Sequence, residues 1–209
     1  MIFDDRMIDR LRLSVKDRLS DKRFKHTLGV ENMARRLGEI IIPERLDELR
    51  VAALLHDVAK ELSFEEQLSL LSHSTVKFTK EDVDTRPALH SIAAIPLIKR
   101  EYPEYATDNV LSAVANHTLG DENMSAFDAI IYISDYAEEG RTYRTCCEVR
   151  DYLINNVRYG RTMEENLQAL HSASLSATES TIWSLSLRGE KIHTKTFTTK
   201  AYLKSLISK

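Results

Sequence analysis

Six ionisable side chains stand on the apolar faces of segments whose hydrophobic residues recur with a helical period, and their types are those that bind metal ions. They are four histidines and two aspartates, namely His26, His56, Asp57, His90, His117 and Asp135. One such histidine alone would be interpreted as a hydrogen-bonded core residue. Burying an unpaired polar group costs on the order of 2–7 kcal/mol, so each of these groups needs a partner. We therefore expect five helices to bring the six side chains to one common site.

The residue types indicate which metals such a site would bind. Imidazole and carboxylate ligands suit Fe, Mn, Zn, Co or Ni, whereas a structural zinc site is usually rich in cysteine thiolates. Six ligands are too many for one tetrahedral ion and fit two ions that share a carboxylate. His56 and Asp57 are adjacent within the apolar stretch "RVAALLHDVAKEL", residues 50–62. Neighbours on a helix diverge by about 100°, so this histidine can bind one ion while the aspartate reaches the second.

Composition limits the class of protein. The chain has 209 residues, 43% of them hydrophobic and 29% charged, which is enough for one large domain with a real core. A formal net charge of -3 gives no reason to expect a nucleic-acid polymer as partner. The adjacent Cys146 and Cys147 do not form a disulfide framework. With no apolar signal segment and no run of roughly 18 apolar residues, we expect a cytoplasmic protein that does not enter a membrane.

The elements that must position the six side chains are predicted to be helices, because glycine and proline are few and the hydrophobic period is helical throughout. We predict a helix in the opening segment, another around His26, and a short one that begins at Ser63 with Glu66 completing a capping box. Further helices are predicted over residues 46–59, 88–100, 106–117, 125–139, 144–156, 163–187 and 197–208. The predicted fold is an all-α, single-domain helical bundle, with residues 1–142 carrying the site and residues 143–209 forming a C-terminal helical extension.

The order of the candidate ligands resembles that of the HD-domain superfamily of metal-dependent phosphohydrolases, H…HD…H…H…D. The surrounding strings "KRFKHTLGVENMARRL", "AALLHDVAKEL", "LHS", "VANHTLGDENMSAFDAIIYISDYAEEGR" and "GEKIHTKTFTTKAYL" are similar to those of the YqeK-like family within it. The similarity runs over almost the whole chain. That family consists of bacterial symmetrical diadenosine tetraphosphate hydrolases.

The resemblance implies a fold, a metal centre and a reaction. It implies an HD-type bundle with two metal ions, iron above all, with Mn, Co or Mg as alternatives. One ion would be held by His26, His56, Asp57 and Asp135, and the other by Asp57, His90 and His117. A hydroxide between the two metals would cleave diadenosine tetraphosphate into two ADP. A nucleotide is thus the expected partner, and a homodimer is left open.

Cations near the ligands are the candidates for binding phosphate. Arg23 precedes His26 by three residues and Lys60 follows His56 by four, which places each on the same helical face as a ligand. We expect Arg23, Lys60 and Arg141 to contact the substrate, with Lys60 joining Asp57 in catalysis. Thr118 and Asp121, just past His117, are two further candidates for substrate contact or for orienting a ligand. Ordinary surface charge is the alternative for Lys60 and Arg141.

Two departures from the family pattern bear on specificity. Ser91 stands where the family usually has glycine, and "SDYAEEGR" replaces the usual "ADYIEPGR". Both changes are expected near the entrance for the substrate, so they affect substrate preference more than the metals. Two alternatives remain open: an HD phosphohydrolase that acts on another nucleotide, as a nucleotidase or a phosphodiesterase, and a binding module with a degenerate site. The complete ligand set argues against the latter. His73, His171 and His193 are interpreted as structural or surface residues.

Overall fold

The computed structural model describes residues 3–208, and within that range the chain is helical with no β-strand. The eleven helices of this range are α1 (Asp5–Arg18), α2 (Asp21–Ile41), α3 (Leu46–Leu55), α4 (Phe64–Ser72), α5 (Lys80–Asp84), α6 (Arg86–Glu101), α7 (Asp108–Asn116), α8 (Ala126–Ala137), α9 (Arg144–Asn156), α10 (Met163–Leu187) and α11 (Thr194–Ile207). The predicted all-α fold class is confirmed.

Local sequence signals account for most helix starts. Ser63 and Glu66 form the predicted capping box at the start of α4, and Ser125 caps α8, in a second box with Asp128. Pro87 lies in the first turn of α6, where its missing N–H has no intrahelical partner to lose. Gly120 follows α7 with φ +73°, a conformation that glycine adopts without steric cost.

The helix that carries the His–Asp pair is shorter than predicted. α3 ends at Leu55 instead of continuing to residue 59, and His56 is its C-cap. The chain then turns through i→i+3 hydrogen bonds, from Val58 N to Leu55 O at 3.1 Å and from Lys60 N to Asp57 O at 2.9 Å. Neither glycine nor proline marks this end, so the sequence gives no warning of it. α7 likewise ends at Asn116, with His117 as its C-cap.

Two further differences concern the segments on either side of the bundle. The short helix α5 was not predicted, although Thr79 and Asp82 form a capping box for it. α11 begins at Thr194, three residues before the predicted start, because the His193 side chain caps it by accepting a hydrogen bond from Lys195 N.

α3 is the central element of the core. Its residues from Val51 to Leu55 are fully buried, and it packs against α1, α2, α7 and α8. A helical segment that is apolar on all sides, as residues 51–55 are, belongs inside a bundle, and here it fixes the His–Asp turn at its end. α10 packs on α8, α9 and α11, and its buried residues Ala169, Leu170, Ala173 and Ala177 join the same core. The division at residue 142 stays a prediction. Of the helices between residues 3 and 208, none combines the length and the apolar character needed to cross a membrane.

Candidate metal centre

The six predicted ligands lie together at the centre of the bundle. α2 supplies His26, the C-caps of α3 and α7 supply His56 and His117, and α6 and α8 supply His90 and Asp135. Asp57 occupies the turn after α3. His56, Asp57, His90 and His117 are each at most 2% exposed. The structure thus brings the six side chains together from five helices.

Asp57 lies between two pairs of histidines, and its two carboxylate oxygens face different pairs. Oδ2 is 3.3 Å from His56 Nε2 and 3.7 Å from His26 Nε2. Oδ1 is 3.1 Å from His90 Nε2 and 3.7 Å from His117 Nε2. A carboxylate placed in this way could serve both histidine pairs if each pair held a metal ion.

The four imidazole rings are all oriented through their other nitrogen. Nδ1 of His56, His90 and His117 lies 2.6, 3.0 and 2.7 Å from the carbonyl oxygen three residues earlier in the chain. Nδ1 of His26 lies 3.2 Å from Glu138 Oε1. An N–H at Nδ1 donates to each of these oxygens, so that each ring, when neutral, has the lone pair of its Nε2 directed into the centre of the cluster.

The Nε2 atoms need a cation. Those of His26 and His56 are buried without a hydrogen-bond partner among the described residues, although His26 Nε2 lies 2.9 Å from Asp135 Oδ1. Nε2 of His90 and of His117 are only 3.0 Å apart, so two lone pairs would face each other across that gap. Donor atoms of His26, His56 and Asp135 lie within 4.8 Å of one another, as do donor atoms of His56, Asp57 and His117. The donor set thus fits divalent metal ions.

Glu138 orients His26, and we did not predict this residue from the sequence. Its side chain is buried beside the first turns of α2, against Gly29, where a Cβ atom would lie 2.3 Å from Glu138 Oε2. The same carboxylate accepts a hydrogen bond from Gly140 N, and Arg150 donates to the Glu138 carbonyl at 2.7 Å. A signal was present, because Glu138 belongs to the "SDYAEEGR" string that follows Asp135.

Burial and charge shift the pKa values of the cluster in opposite directions. Burial lowers the pKa of His90 to about 4. Burial alone would also lower the pKa of His26, but Asp135 and Glu138 outweigh it and raise that pKa to about 9. Burial would raise the pKa of Asp57, yet the neighbouring histidines, His56 first among them, hold it well below the usual value. A metal ion would replace the proton of His26, because ligation needs the neutral imidazole.

Four of the five predicted substrate-contact residues lie at the cluster. Arg23 Nη1 is 2.8 Å from Asp57 Oδ2, and Arg141 Nη2 is 2.8 Å from Asp135 Oδ1. Lys60 Nζ lies 3.3 Å from His90 Nδ1. Thr118 Oγ1 lies 3.0 Å from His117 Nε2 and 3.3 Å from His90 Nε2.

Asp121, the fifth, is directed away from the cluster. Its carboxylate lies 3.0 Å from Lys195 Nζ, on the side that faces α11, and accepts a hydrogen bond from Asn123 N. The structure therefore does not bring Asp121 together with the ligand histidines. The loop turns at Gly120, directly after Leu119, and that turn separates Asp121 from Thr118.

The departures from the family pattern also lie elsewhere than expected. Ser91 is 2% exposed, and its hydroxyl donates to the Ala88 carbonyl within α6. Ser134, the first residue of "SDYAEEGR", is fully buried. The expectation that both changes lie near the entrance for the substrate is wrong for these two serines. Glu139 of the same string does line an open groove.

That groove leads to one end of the cluster. It has a volume of about 630 Å³ and runs between the start of α2 and the loop from α8 to α9. Its lining includes His26, the cations Lys22, Lys25, Arg23 and Arg141, and the aromatic ring of Tyr143, which is 74% exposed. We call it the α2 groove. Positive charge beside a metal-binding cluster suits a phosphate-bearing ligand.

An all-α bundle with a central histidine and aspartate cluster, beside a groove lined by cations, has the features of a metal-dependent phosphohydrolase. The profile of the HD domain matches residues 23–140, which contain all six ligands. The chain belongs to the HD-domain family.

Two curated relatives and one solved structure extend this assignment. The chain is 31% identical over 137 residues to the symmetrical bis(5'-nucleosyl)-tetraphosphatase of Bacillus subtilis, which covers 65% of this chain and 72% of that protein. It is 26% identical over 163 residues to the enzyme of the same name from Staphylococcus aureus, covering 76% and 80%. A crystal structure from Clostridium acetobutylicum, named a "predicted HD superfamily hydrolase involved in NAD metabolism", superposes with a TM-score of 0.80 at 31% identity, covering 94% of this chain and 96% of that one.

Proposed function

We propose that this HD-domain hydrolase cleaves diadenosine tetraphosphate symmetrically into two ADP at a centre of two metal ions. The observation that carries the proposal is the position of Asp57, whose two oxygens face separate histidine pairs. The names of the Bacillus and Staphylococcus relatives support the substrate.

The proposed ligands divide into two sets that share Asp57. One set is His26, His56, Asp57 and Asp135, and the other is Asp57, His90 and His117. Iron is the proposed metal because the resemblance to the YqeK-like family implies it. The imidazole and carboxylate ligands, without thiolate, suit iron as well as Mn or Co. Bound metals supply Lewis acidity that polarises a phosphoryl oxygen and lowers the pKa of water.

The cations next to the ligands are proposed to bind the polyphosphate. The Arg23 side chain is 28% exposed, so its guanidinium can turn from Asp57 to a phosphate in the α2 groove. Arg141 holds Asp135 from the same groove and can donate to phosphate with its remaining N–H groups. Lys60 is proposed as a catalytic cation that meets the charge developing on the phosphoryl oxygens. The Thr118 hydroxyl lies beside His90 and His117 and is proposed to bind the same phosphoryl oxygens.

The reaction consumes one water for each substrate. One oxygen bridges the two central phosphorus atoms of the tetraphosphate, and the bond from this oxygen to one of them is the bond that breaks. The oxygen of water forms the new bond to that phosphorus, and the bridging oxygen leaves with the other ADP. Each product thus keeps one adenosine and two phosphates.

Hydrolysis in ¹⁸O-labelled water tests the proposal. Purified chain loaded with Fe, Mn or Co is incubated with diadenosine tetraphosphate, and the products are separated by chromatography and weighed by mass spectrometry. We expect ADP alone, with one ¹⁸O atom for every two ADP molecules. Asp57→Asn, checked for retained helicity by circular dichroism, is expected to lose most of its kcat, because the carboxylate shared by the two proposed ligand sets is gone. AMP together with ATP would show asymmetric cleavage and contradict the proposal.

A second candidate is an HD phosphohydrolase acting on another nucleotide, a nucleotidase or a phosphodiesterase. The structural similarity to the Clostridium protein, which its name connects with NAD metabolism, favours this alternative. Mononucleotides, pyridine dinucleotides and cyclic dinucleotides assayed beside diadenosine tetraphosphate distinguish the two. A higher kcat/KM for any of them would establish the alternative.

Three further sequence predictions are also retained as proposals. These are a cytoplasmic location, a homodimer as a possibility left open, and the division of the chain at residue 142. The free thiols of Cys146 and Cys147 support the first.

A further inference from the structure

α11 lies outside the part of the chain that matches the HD-domain profile, residues 23–140, yet it contacts both segments that carry one half of the metal centre. We propose that α11 is a brace that positions His90 and His117, and that Lys195 and Thr199 are its positioning residues. The inference rests on the binuclear site of the proposed function and is independent of which nucleotide is hydrolysed.

The first contact of the brace is with the loop that follows His117. Lys195 Nζ donates to Asn116 Oδ1, immediately before His117, at 3.0 Å. The same ammonium group lies 3.0 Å from Asp121 Oδ2, four residues after His117. Lys195 therefore ties together the two sides of the turn that presents His117 and Thr118 to the centre. This ion pair also explains the position of Asp121, which points to α11 instead of the metals.

Thr199 extends the contact by one helical turn. Its hydroxyl donates to the Leu119 carbonyl at 3.0 Å, and the side chain is fully buried. A Cβ atom at Gly120 would lie 2.3 Å from Thr199 Cγ2, so the loop backbone rests directly on this threonine. Further along, Tyr202 Oη donates to the Met124 carbonyl at 3.0 Å. The α7–α8 loop thus contacts α11 at three successive points, from Lys195 to Tyr202.

The second contact is at the N-terminus of α11 and reaches the segment before His90. His193 is 7% exposed, and its Nε2 lies 3.2 Å from Asp82 Oδ1 on α5. Glu81 Oε1 accepts hydrogen bonds from Thr194 N at 3.0 Å and from Thr194 Oγ1 at 2.9 Å. α5 leads directly into α6, whose first-turn carbonyl at Pro87 orients the His90 ring.

The hydrogen bonds and ion pairs of the brace described above reach one half of the centre, although Leu203 of α11 also shares an apolar cluster with Tyr132 on α8, the helix of Asp135. These contacts of α11 are with the segments around His90 and His117. In the other half, Glu138 orients His26, and Arg150 donates a hydrogen bond to the Glu138 carbonyl at the C-terminus of α8. Nε2 of His90 and His117 are 3.0 Å apart, so a small shift of either ring changes the space for an ion between them. Groups that orient metal ligands typically change metal affinity by 10- to 100-fold when they are removed. Loss of the brace should therefore weaken one of the two ions.

A Co²⁺ titration of the chelator-treated full chain tests this inference, followed by visible absorption and by metal analysis after gel filtration. For Lys195→Met and Thr199→Val we expect one ion bound as tightly as in the unchanged chain and the second bound about tenfold more weakly. Lys195→Arg keeps the charge and a donor, so this variant is expected to bind the second ion as tightly as the unchanged chain does.

Lys200→Met is the matched control. Lys200 lies on the same helix, and its ammonium group pairs with Glu179 on α10 at 2.9 Å, away from the histidines. Thermal unfolding of each variant distinguishes a loss of packing from a loss of ligand positioning. If a variant unfolds at a lower temperature but binds two ions with the affinities of the unchanged chain, the brace is contradicted. An unchanged chain that binds fewer than two ions contradicts the proposed function and the brace together, whereas equal affinities in all variants contradict the brace alone.

Discussion

At the scale of single residues, the side chains of this centre are fixed by groups that the ligands themselves do not reveal. Each ring nitrogen Nδ1 is held by a carbonyl or by Glu138, so each Nε2 is directed inward before any ion binds. Such pre-orientation lowers the cost of assembling the site, because the rings lose little rotational freedom on binding.

Tyr143 gives a prediction at this scale. Its ring is 74% exposed at the α2 groove, beside cations that suit phosphate. Stacking of a base on an aromatic side chain contributes about 1–3 kcal/mol, so we expect Tyr143→Ala to raise KM for diadenosine tetraphosphate at least fivefold with little change in kcat. Steady-state kinetics measure both constants.

Tyr159→Ala is the control for Tyr143. Tyr159 is also exposed, at 76%, but it lies by Glu39 at the far end of α2, and its removal should leave KM unchanged. Tyr143→Phe should retain the stacking. Equal KM values for Tyr143→Ala and the unchanged chain would show that the ring does not contact the substrate.

At the scale of elements, the site depends on how closely α2 approaches the loop after α8. Gly29 permits this approach, because any larger residue would meet the Glu138 carboxylate that orients His26. Gly38, two and a half turns further along α2, allows a different approach, since a Cβ atom there would meet Leu49 of α3 at 2.4 Å. Substitutions at Gly29 and at Gly38 can therefore distinguish an effect on the candidate metal centre from an effect on core packing.

We predict different outcomes for alanine at these two positions. Gly29→Ala should displace Glu138 and weaken the ion at His26 about tenfold, as measured by Co²⁺ titration. Gly38→Ala should overpack the core at a cost of about 1–3 kcal/mol and leave both ions bound. A Gly29→Ala variant with unchanged metal affinity would mean that Glu138 does not orient His26.

At the scale of the whole molecule, the metal centre joins five helices that are far apart in sequence. Ligands that bind only the folded state stabilise it, by about 2.7 kcal/mol at a free concentration 100 times Kd. A chain of this size gains about 2–4 °C in Tm for each kcal/mol. We thus predict that each ion raises Tm by about 5–10 °C at that concentration, so that removing both with a chelator lowers Tm by about 10–20 °C, measured by calorimetry.

The Asp57→Asn variant provides the control for metal removal. Without the shared carboxylate the variant should bind ions weakly, so its Tm should be almost the same with and without metal. A chain whose Tm does not respond to metal at all would contradict the interpretation that the centre links the helices.

The helical fold class and the HD-domain family could be predicted from the sequence alone. The six candidate ligands could also be proposed from it, and the structure brings them together. Helical period and capping signals are local, and six metal-ligand residue types on apolar faces need a common partner. The order of the motifs then identified the HD-domain family, and the profile over residues 23–140 confirmed it.

The contacts that orient the six candidate ligands could not be predicted from the sequence. The ends of α3 and α7 have no glycine or proline at their last residues, and the hydrogen bonds of His56 and His117 to the preceding turn were not readable from spacing. Glu138 meets His26 across 112 residues and Lys195 meets Asn116 across 79. Contacts of this kind depend on how the helices pack. The sequence shows which buried polar groups need a partner, but the partner is a distant residue that only the packing of the helices brings close.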